Sequence, residues 1–419
     1  MTYWSERESA CTVEPGILLV GTLDTKGEEI EYLRNAISRC GCRCIIMDVG
    51  IIGQPTVVAD ITSDVVIERG GGDRARLIDA AAKGSARGDG VDIVIRGGSQ
   101  IARELLAENQ LNGIISLGGS TGTAIGTSIM RSLPLGIPKV HVSTLPGISK
   151  DLSRFFGQSD IMMLNSIVDL VGLNTITRTV LDEAAAAIAG MAKHAGSIAS
   201  PVACVAITCL GVTTPMVMKV RTGIMERGYE VVVLHRRTPV LGDLVSRGLV
   251  KAVLDLTPNE VVDAVVYPKD AMSASRMDSA LDAGIPIIMS PGGLDMIIVS
   301  KSADEIPDAF KLRQHRSHTP WTTLVRTDEP ELRAIGSFIG QSASRAQGPV
   351  GIVIPRQGFS TMDREGSDFH SADANRAFIE GLRESVSSKV RIREVDAHII
   401  SDEFVGTVLD MFDDMMASQ

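Results

Sequence analysis

Three short stretches gather glycine, hydroxyl and charged side chains where an apolar run gives way to a helical pattern. In IISLGGSTGTAIGTSIM (114–130), Gly118, Gly119, Ser120, Thr121, Gly122 and Thr123 stand side by side. In GTLDTKGEE (21–29), Gly21 and Gly27 bracket Thr22 and Thr25 as hydroxyl donors, with Lys26 as a point charge suited to phosphate. Asp24 or Glu28 in the same stretch offers oxygen ligands for Mg²⁺. In KVHVSTLPG (139–147), Ser143 and Thr144 follow a third apolar run that starts at Lys139. The chemistry these types share is anion binding. Glycine lets main-chain N–H groups approach an anion with no Cβ in the way, and a helix N-terminus adds unpaired N–H groups and the positive end of its dipole. The same residues also read as plain turns, with Ser120 or Thr121 and Asp24 or Thr25 as helix caps. Neither the P-loop nor the GxGxxG spacing is present.

Such loops can converge only if the strands before them lie in one sheet. GILLVGT (16–22), RCIIMDVG (43–50), NGIISLGG (112–119), IPKVHVST (137–144) and DIMMLNS (160–166) read as strands. A helix over GEEIEYLRNAISRC (27–40) and another from Thr121 separate them, while VDIVIRGGSQIARELLAEN (91–109) begins like a strand and ends like a helix. The Ala-rich helix 177–196 has Gly196 as its stop, and SIASP (197–201) marks a boundary. The alternation then resumes with VACVAIT, EVVVLH, AVLDL, IPIIMS, WTTLVRT, VGIVIP and VRIREV, and ends in a helix capped by Ser401 with Phe404, Val408 and Phe412 as its apolar stripe. Strands alternating with crossover helices mean an α/β fold: two doubly wound domains with mainly parallel sheets, 1–198 and 199–419.

Composition narrows the partners. A net charge of −10 over 419 residues argues against nucleic acid, while leaving room for a small anionic ligand in a local pocket. The first residues have no apolar leader core, no run is long enough to span a membrane, and six scattered cysteines give no disulfide framework, so a cytoplasmic protein is expected. Cys42 and Cys44 read as half-buried thiols rather than zinc ligands.

In the second half, His235 at a strand end is a candidate acid–base group, as are Asp295, Asp363 and His370. Gly292 and Gly293 in SPGGLDM, and Arg356, Ser360 and Asp368 in the polar segment 355–370, are candidate ligand contacts. His141 reads as a satisfied core histidine, and His315 with His318 as too isolated for a metal site.

The motifs VGTLDTKGEE, LGGSTGTA, PKVHVST, SDIMMLNSIVDLVGLN, GVTTP, GGLDM and GFSTMDREGSDFH together resemble the family of the tobamovirus-resistance protein of tomato, most of whose members are bacterial. That resemblance implies two Rossmann-like domains, a homo-oligomer such as a dimer or tetramer, and ATP or a related phosphate-bearing ligand in the strand-end or interdomain crevice of the N-terminal domain. Mg²⁺ is a possible companion and no tightly bound redox cofactor is expected. The family's motifs fall on Gly21, Thr22, Asp24, Thr25, Lys26 and Gly27 and on Gly118, Gly119, Ser120, Gly122 and Thr123. HRRTPVLGD departs from the family's pattern with Arg236 and Arg237. Two other functions use the same loops: a metabolic enzyme acting on a phosphorylated or carboxylated small molecule, and a ligand-regulated interaction scaffold.

Overall fold

The computed structural model describes residues 14–82, 87–149, 151–157, 159–194, 203–236, 240–267, 275 and 277–418. Gly196, SIASP and Arg237 lie outside the described residues. The chain divides into two compact units, Met1–Ala199 and Ser200–Gln419.

In the first unit, β1 (Gly16–Gly21), β2 (Arg43–Asp48), β3 (Gly113–Gly118), β4 (Lys139–Ser143) and β5 (Met162–Asn165) run parallel in the order β2-β1-β3-β4-β5. The β1 run is continuously apolar because both its faces are covered. Ile17 and Leu19 pack with the helices Leu23–Arg39 and Thr175–His194, while Leu18 and Val20 pack with Arg87–Ala107 and Ser120–Arg131. The ambiguous stretch after residue 90 is helical as far as Ala107 and shows no strand. A Gly pair in a helix interior is unfavourable by propensity, but a Cβ on Gly97 would sit 1.9 Å from the Val66 carbonyl oxygen and one on Gly98 2.6 Å from Ile129. Close packing of neighbouring elements, not a break, explains that pair. A short helical turn from Leu23, carrying Asp24 and Thr25, precedes the helix expected from residue 27, and the two are separated by a kink at Lys26, whose φ of −130° and ψ of 21° are not helical.

In the second unit, β6 (Cys204–Cys209), β7 (Glu230–His235), β8 (Val250–Asp255), β9 (Ile287–Met289), β13 (Val350–Pro355) and β14 (Arg391–Val395) form a parallel sheet in the order β14-β13-β9-β8-β6-β7. WTTLVRT breaks the expected alternation. It supplies β12 (Thr322–Arg326), which pairs antiparallel with β10 (Met296–Val299) and β11 (His315–Thr319) in a separate three-stranded sheet. Ser401 caps the last helix by accepting the Phe404 N–H, and Phe404, Val408 and Phe412 are buried beneath it.

The helices Glu329–Ser344 and Ala372–Ser385 meet through glycine. A Cβ on Gly336 would lie 2.2 Å from the Phe378 carbonyl oxygen, and one on Gly381 2.1 Å from that of Arg333. Gly381→Ala therefore sets a gain of about 1 kcal/mol in helix propensity against overpacking that costs about 1–3 kcal/mol. Both atoms met are backbone, so overpacking wins; urea denaturation is expected to show net destabilisation.

On β4, the polar side chains of Lys139, His141 and Ser143 are fully buried. Lys139 donates to the carbonyls of Pro134 and Ile137 at 2.7 and 2.9 Å and pairs with Asp160 at 2.6 Å. His141 Nδ1 lies 2.6 Å from Ser116 Oγ and its Nε2 2.9 Å from Thr123 Oγ1. Burial pushes the imidazole down to about 3. Because the unfolded chain takes up this proton near its ordinary value of about 6.5 and the native state does not, stability is intact above that value and falls as pH drops below it, by up to about 1.4 kcal/mol per pH unit. NMR is expected to show no titration of the His141 ring between about pH 8 and about pH 5.

Candidate functional site

Strand order decides where a ligand can enter the first unit. From β1 the chain moves to β2 on one side, and from β3 it moves to β4 on the other. Right-handed crossovers then place the helix after β1 and the helix after β3 on opposite faces of the sheet. Their N-termini come over the top edge with a gap between them, the switch point at which open α/β sheets bind ligands. A cavity of about 370 Å³ occupies this gap, lined by Thr22, Asp24, Thr25, Lys26 and Gly118–Gly122, with Val49–Ile52 and Ile125 closing it.

The helix Ser120–Arg131 begins with Gly119 as N-cap and no side chain capping its first turn. Its first N–H groups are therefore not taken by a side-chain cap. Ser120 and Thr121 are exposed at the rim. Gly118 is held tightly, since a Cβ there would meet Gly122 Cα at 2.8 Å, whereas a Cβ on Gly119 would meet nothing nearer than Thr144 Oγ1 at 3.8 Å. On the opposite wall Thr22 and Thr25 hydroxyls bond each other at 2.8 Å, and Asp24 Oδ2 accepts the Gly53 N–H at 3.1 Å.

Several expected contacts serve the fold instead. Thr123 and Ser143 are fully buried, with their hydroxyls 2.8 Å apart, so neither reaches the cavity; Thr123 also completes the His141 network. Gly21 and Gly27 leave room for Ile30 and Thr56 respectively and do not line the cavity. Glu28 is exposed outside it, beside Gly172, and Lys139 is spent on Asp160. Thr144 lies next to Gly119 without lining the cavity. Lys26 does line it, but its ammonium donates to the Leu170 carbonyl. Of the two Mg²⁺ candidates, only Asp24 lines the cavity. Among the described residues no cluster of three or more His, Cys, Asp or Glu side chains is placed to hold a metal.

Asp48, at the end of β2, is a residue the motif reading missed. Its Oδ1 accepts the Leu23 N–H at 3.1 Å and the Gly50 N–H at 2.9 Å, pinning the start of the first helix to the 49–52 wall. Burial raises its pKa above the usual carboxylate range, opposed by those two backbone bonds. An acidic residue ending a buried strand, in IIMDVG, is the signal that was there to find.

The second unit has the same kind of switch point, between β6 and β8, but fills it with its own side chains. Thr208 Oγ1 donates to Asp255 Oδ1 at 2.9 Å, Thr257 N–H donates to Thr208 Oγ1 at 2.9 Å, and the Thr213 and Thr257 hydroxyls are 2.8 Å apart, all buried. Gly292 is packed on the Leu256 carbonyl, where a Cβ would come to 2.2 Å, and Gly293 takes φ +71° in the adjoining turn, so one serves packing and the other the turn. His235 is exposed at the end of edge strand β7, its Nδ1 against the Arg236 carbonyl, and Arg356 is also exposed. Arg236 is buried in an ion pair with Asp263 at 2.5 Å, which removes it from any ligand.

Four of the remaining candidates do meet. Ser360 Oγ donates to Asp295 Oδ2 at 2.7 Å, and His370 Nδ1 lies 3.1 Å from Asp363 Oδ1. Arg326 and Asn375, which the sequence did not single out, complete this cluster. Ser360, Asp295 and Asp363 are fully buried, so the cluster is part of the interior. Asp368 is not among these bonded partners.

Family models match both units: the Uncharacterised protein family (UPF0261) N-terminal domain over residues 15–197 and its C-terminal domain over 202–416. A UPF0261 protein of Clostridium tetani is 36% identical over 93% of this chain and 96% of its own length. In tomato, Solanum lycopersicum, the ToMV susceptible protein tm-1(GCR26) is 32% identical over 96% of this chain and 56% of its own length. The ToMV resistance protein Tm-1(GCR237) is 35% identical over 73% of this chain and 42% of its own length. Matched in both halves and related to bacterial proteins over nearly its whole length, the chain belongs to the UPF0261 family.

Proposed function

We propose that the first unit binds ATP or a related phosphate-bearing ligand in the cavity at the carboxyl ends of β1 and β3. The observation that carries this reading is the N-terminus of the helix Ser120–Arg131. It is uncapped by side chains, opens on glycine, and faces a cavity of about 370 Å³ at a switch point. A phosphate there accepts main-chain N–H groups and lies at the positive end of the dipole.

Charge in the cavity adds a condition. Its side-chain lining holds one carboxyl, Asp24, and one ammonium, Lys26, which already serves the Leu170 carbonyl. Main-chain dipoles alone offset only part of a polyphosphate's charge. A magnesium ion carried by the phosphates would supply the rest, and Asp24, the one carboxyl among the lining side chains, would hold it directly or through water.

Thermal-shift titration with ATP, ADP, sugar phosphates and 2-oxo acids, each with and without Mg²⁺, tests it. At a ligand concentration of about 100 Kd the stabilisation is about 2.7 kcal/mol, or roughly 5–10 °C for a unit of this size. Mg-ATP is expected to give that shift and ATP alone a smaller one. Gly119→Val has room for its Cβ within the fold, so it should keep the unliganded transition while losing most of the shift. Asp24→Asn should lose the Mg²⁺-dependent part only. A shift with 2-oxo acids or sugar phosphates and none with Mg-ATP would instead support the metabolic-enzyme reading.

A further inference from the structure

Asp295 occupies the turn between β9 and β10 and is fully buried. Its Oδ2 accepts one hydrogen bond, from Ser360 Oγ, and its Oδ1 has no partner. Asp363, also buried, is far better served. Its Oδ2 accepts the Phe359 N–H at 2.9 Å and Asn375 Nδ2 at 2.7 Å, and its Oδ1 meets His370 Nδ1 at 3.1 Å. The guanidinium that acts on Asp295 is that of Arg326, and it is largely committed elsewhere. Its Nη1 bonds the carbonyls of Asp295 and Thr327 and the Thr327 hydroxyl, its Nη2 bonds Asn375 Oδ1, its nearest approach to Asp363 is 3.9 Å, and its Nε has no partner. Two neighbouring buried carboxyls with so unequal a supply of donors do not both ionise at low cost. The one with a single donor and an orphan oxygen holds the proton.

We infer that Asp295 is a proton-binding residue that clasps the segment 359–370 to the β9–β10 turn, and that loss of its proton to solvent loosens this segment. The clasp joins separate pieces of chain. Ser360 Oγ also accepts the Met362 N–H at 3.0 Å, and the Gly293 N–H donates to the Phe359 carbonyl at 2.9 Å. A negative charge on Asp295 stands beside Asp363, in the same segment, and pushes against it. Burial first, then Asp363, raises the Asp295 carboxyl to about 7, while Arg326 and Ser360 pull it down. The other titratable groups at hand act through Asp363: His370 at its Oδ1, and His398, whose Nε2 lies 3.1 Å from its main-chain oxygen and which burial keeps below the usual histidine range.

The native state holds a proton that the unfolded chain has released, so the stability tied to it is full at acid pH and is lost as pH rises towards about 7. The experiment compares the full chain with Asp295→Asn by amide hydrogen exchange of 359–370 and by urea denaturation between about pH 5 and about pH 9. Relative to Asp295→Asn, the wild-type opening constant is expected to rise about tenfold per pH unit up to about pH 7 and then level off. Infrared spectra should show a protonated-carboxyl band at acid pH that is missing from Asp295→Asn. Parallel pH profiles for the two proteins, or the same band in both, would overturn the inference. Should Asp295→Asn fail to fold, Ser360→Ala decides the matter. Removing the one donor to Asp295 should move the wild-type transition to higher pH, and an unmoved transition would equally overturn it.

Discussion

Two parallel sheets impose the constraint on which everything else in this protein rests: each crossover must be right-handed. In the first unit the order β2-β1-β3-β4-β5 sends the chain one way from β1 and the other way from β3. The helices that follow are thereby fixed on opposite faces, and their N-termini meet above the strand ends. Main-chain N–H groups and two helix dipoles are directed at one cavity as a consequence of topology, before any side chain is considered. The motif residues adjust that cavity; they do not create it.

The second unit shows that topology supplies the opportunity and side chains decide its use. Its sheet has an equivalent reversal between β6 and β8, yet Thr208, Asp255, Thr213 and Thr257 bond one another across it, and Gly292 closes on the Leu256 carbonyl. The hydroxyls and the carboxyl at that reversal are thereby bonded to one another within the unit. Its chemistry-bearing residues, Asp295, Ser360 and Asp363, are gathered in the interior instead. Buried groups of this kind cost stability unless each finds a partner, which makes the unpartnered Asp295 Oδ1 informative.

Much of this was legible in the residues. The apolar runs Ile17–Val20 and Ile114–Leu117 announce strands covered on both faces, and the cluster Gly118–Gly122 marks a strand end that opens a helix. Ser401 with Phe404, Val408 and Phe412 specified a capped amphipathic helix in full, because cap and stripe are local. Other features were not legible. Thr123 and Ser143 have the same hydroxyl chemistry as Thr22 and Thr25, and only burial distinguishes structural from available donors. Gly97 and Gly98 look like a break because their cause, the Val66 carbonyl and Ile129, lies in other elements.

By itself, then, the sequence determined the α/β class, the alternation within the two parallel sheets and the two glycine–hydroxyl loops, since periodicity and turn chemistry act between residues close along the chain. Tertiary structure alone decided which loops share a cavity, that Lys26 faces the Leu170 carbonyl, and that Asp295 and Asp363 lie in one buried cluster. Those outcomes depend on strand order and burial. Both arise from contacts between residues far apart in sequence, whose pairing no local pattern encodes.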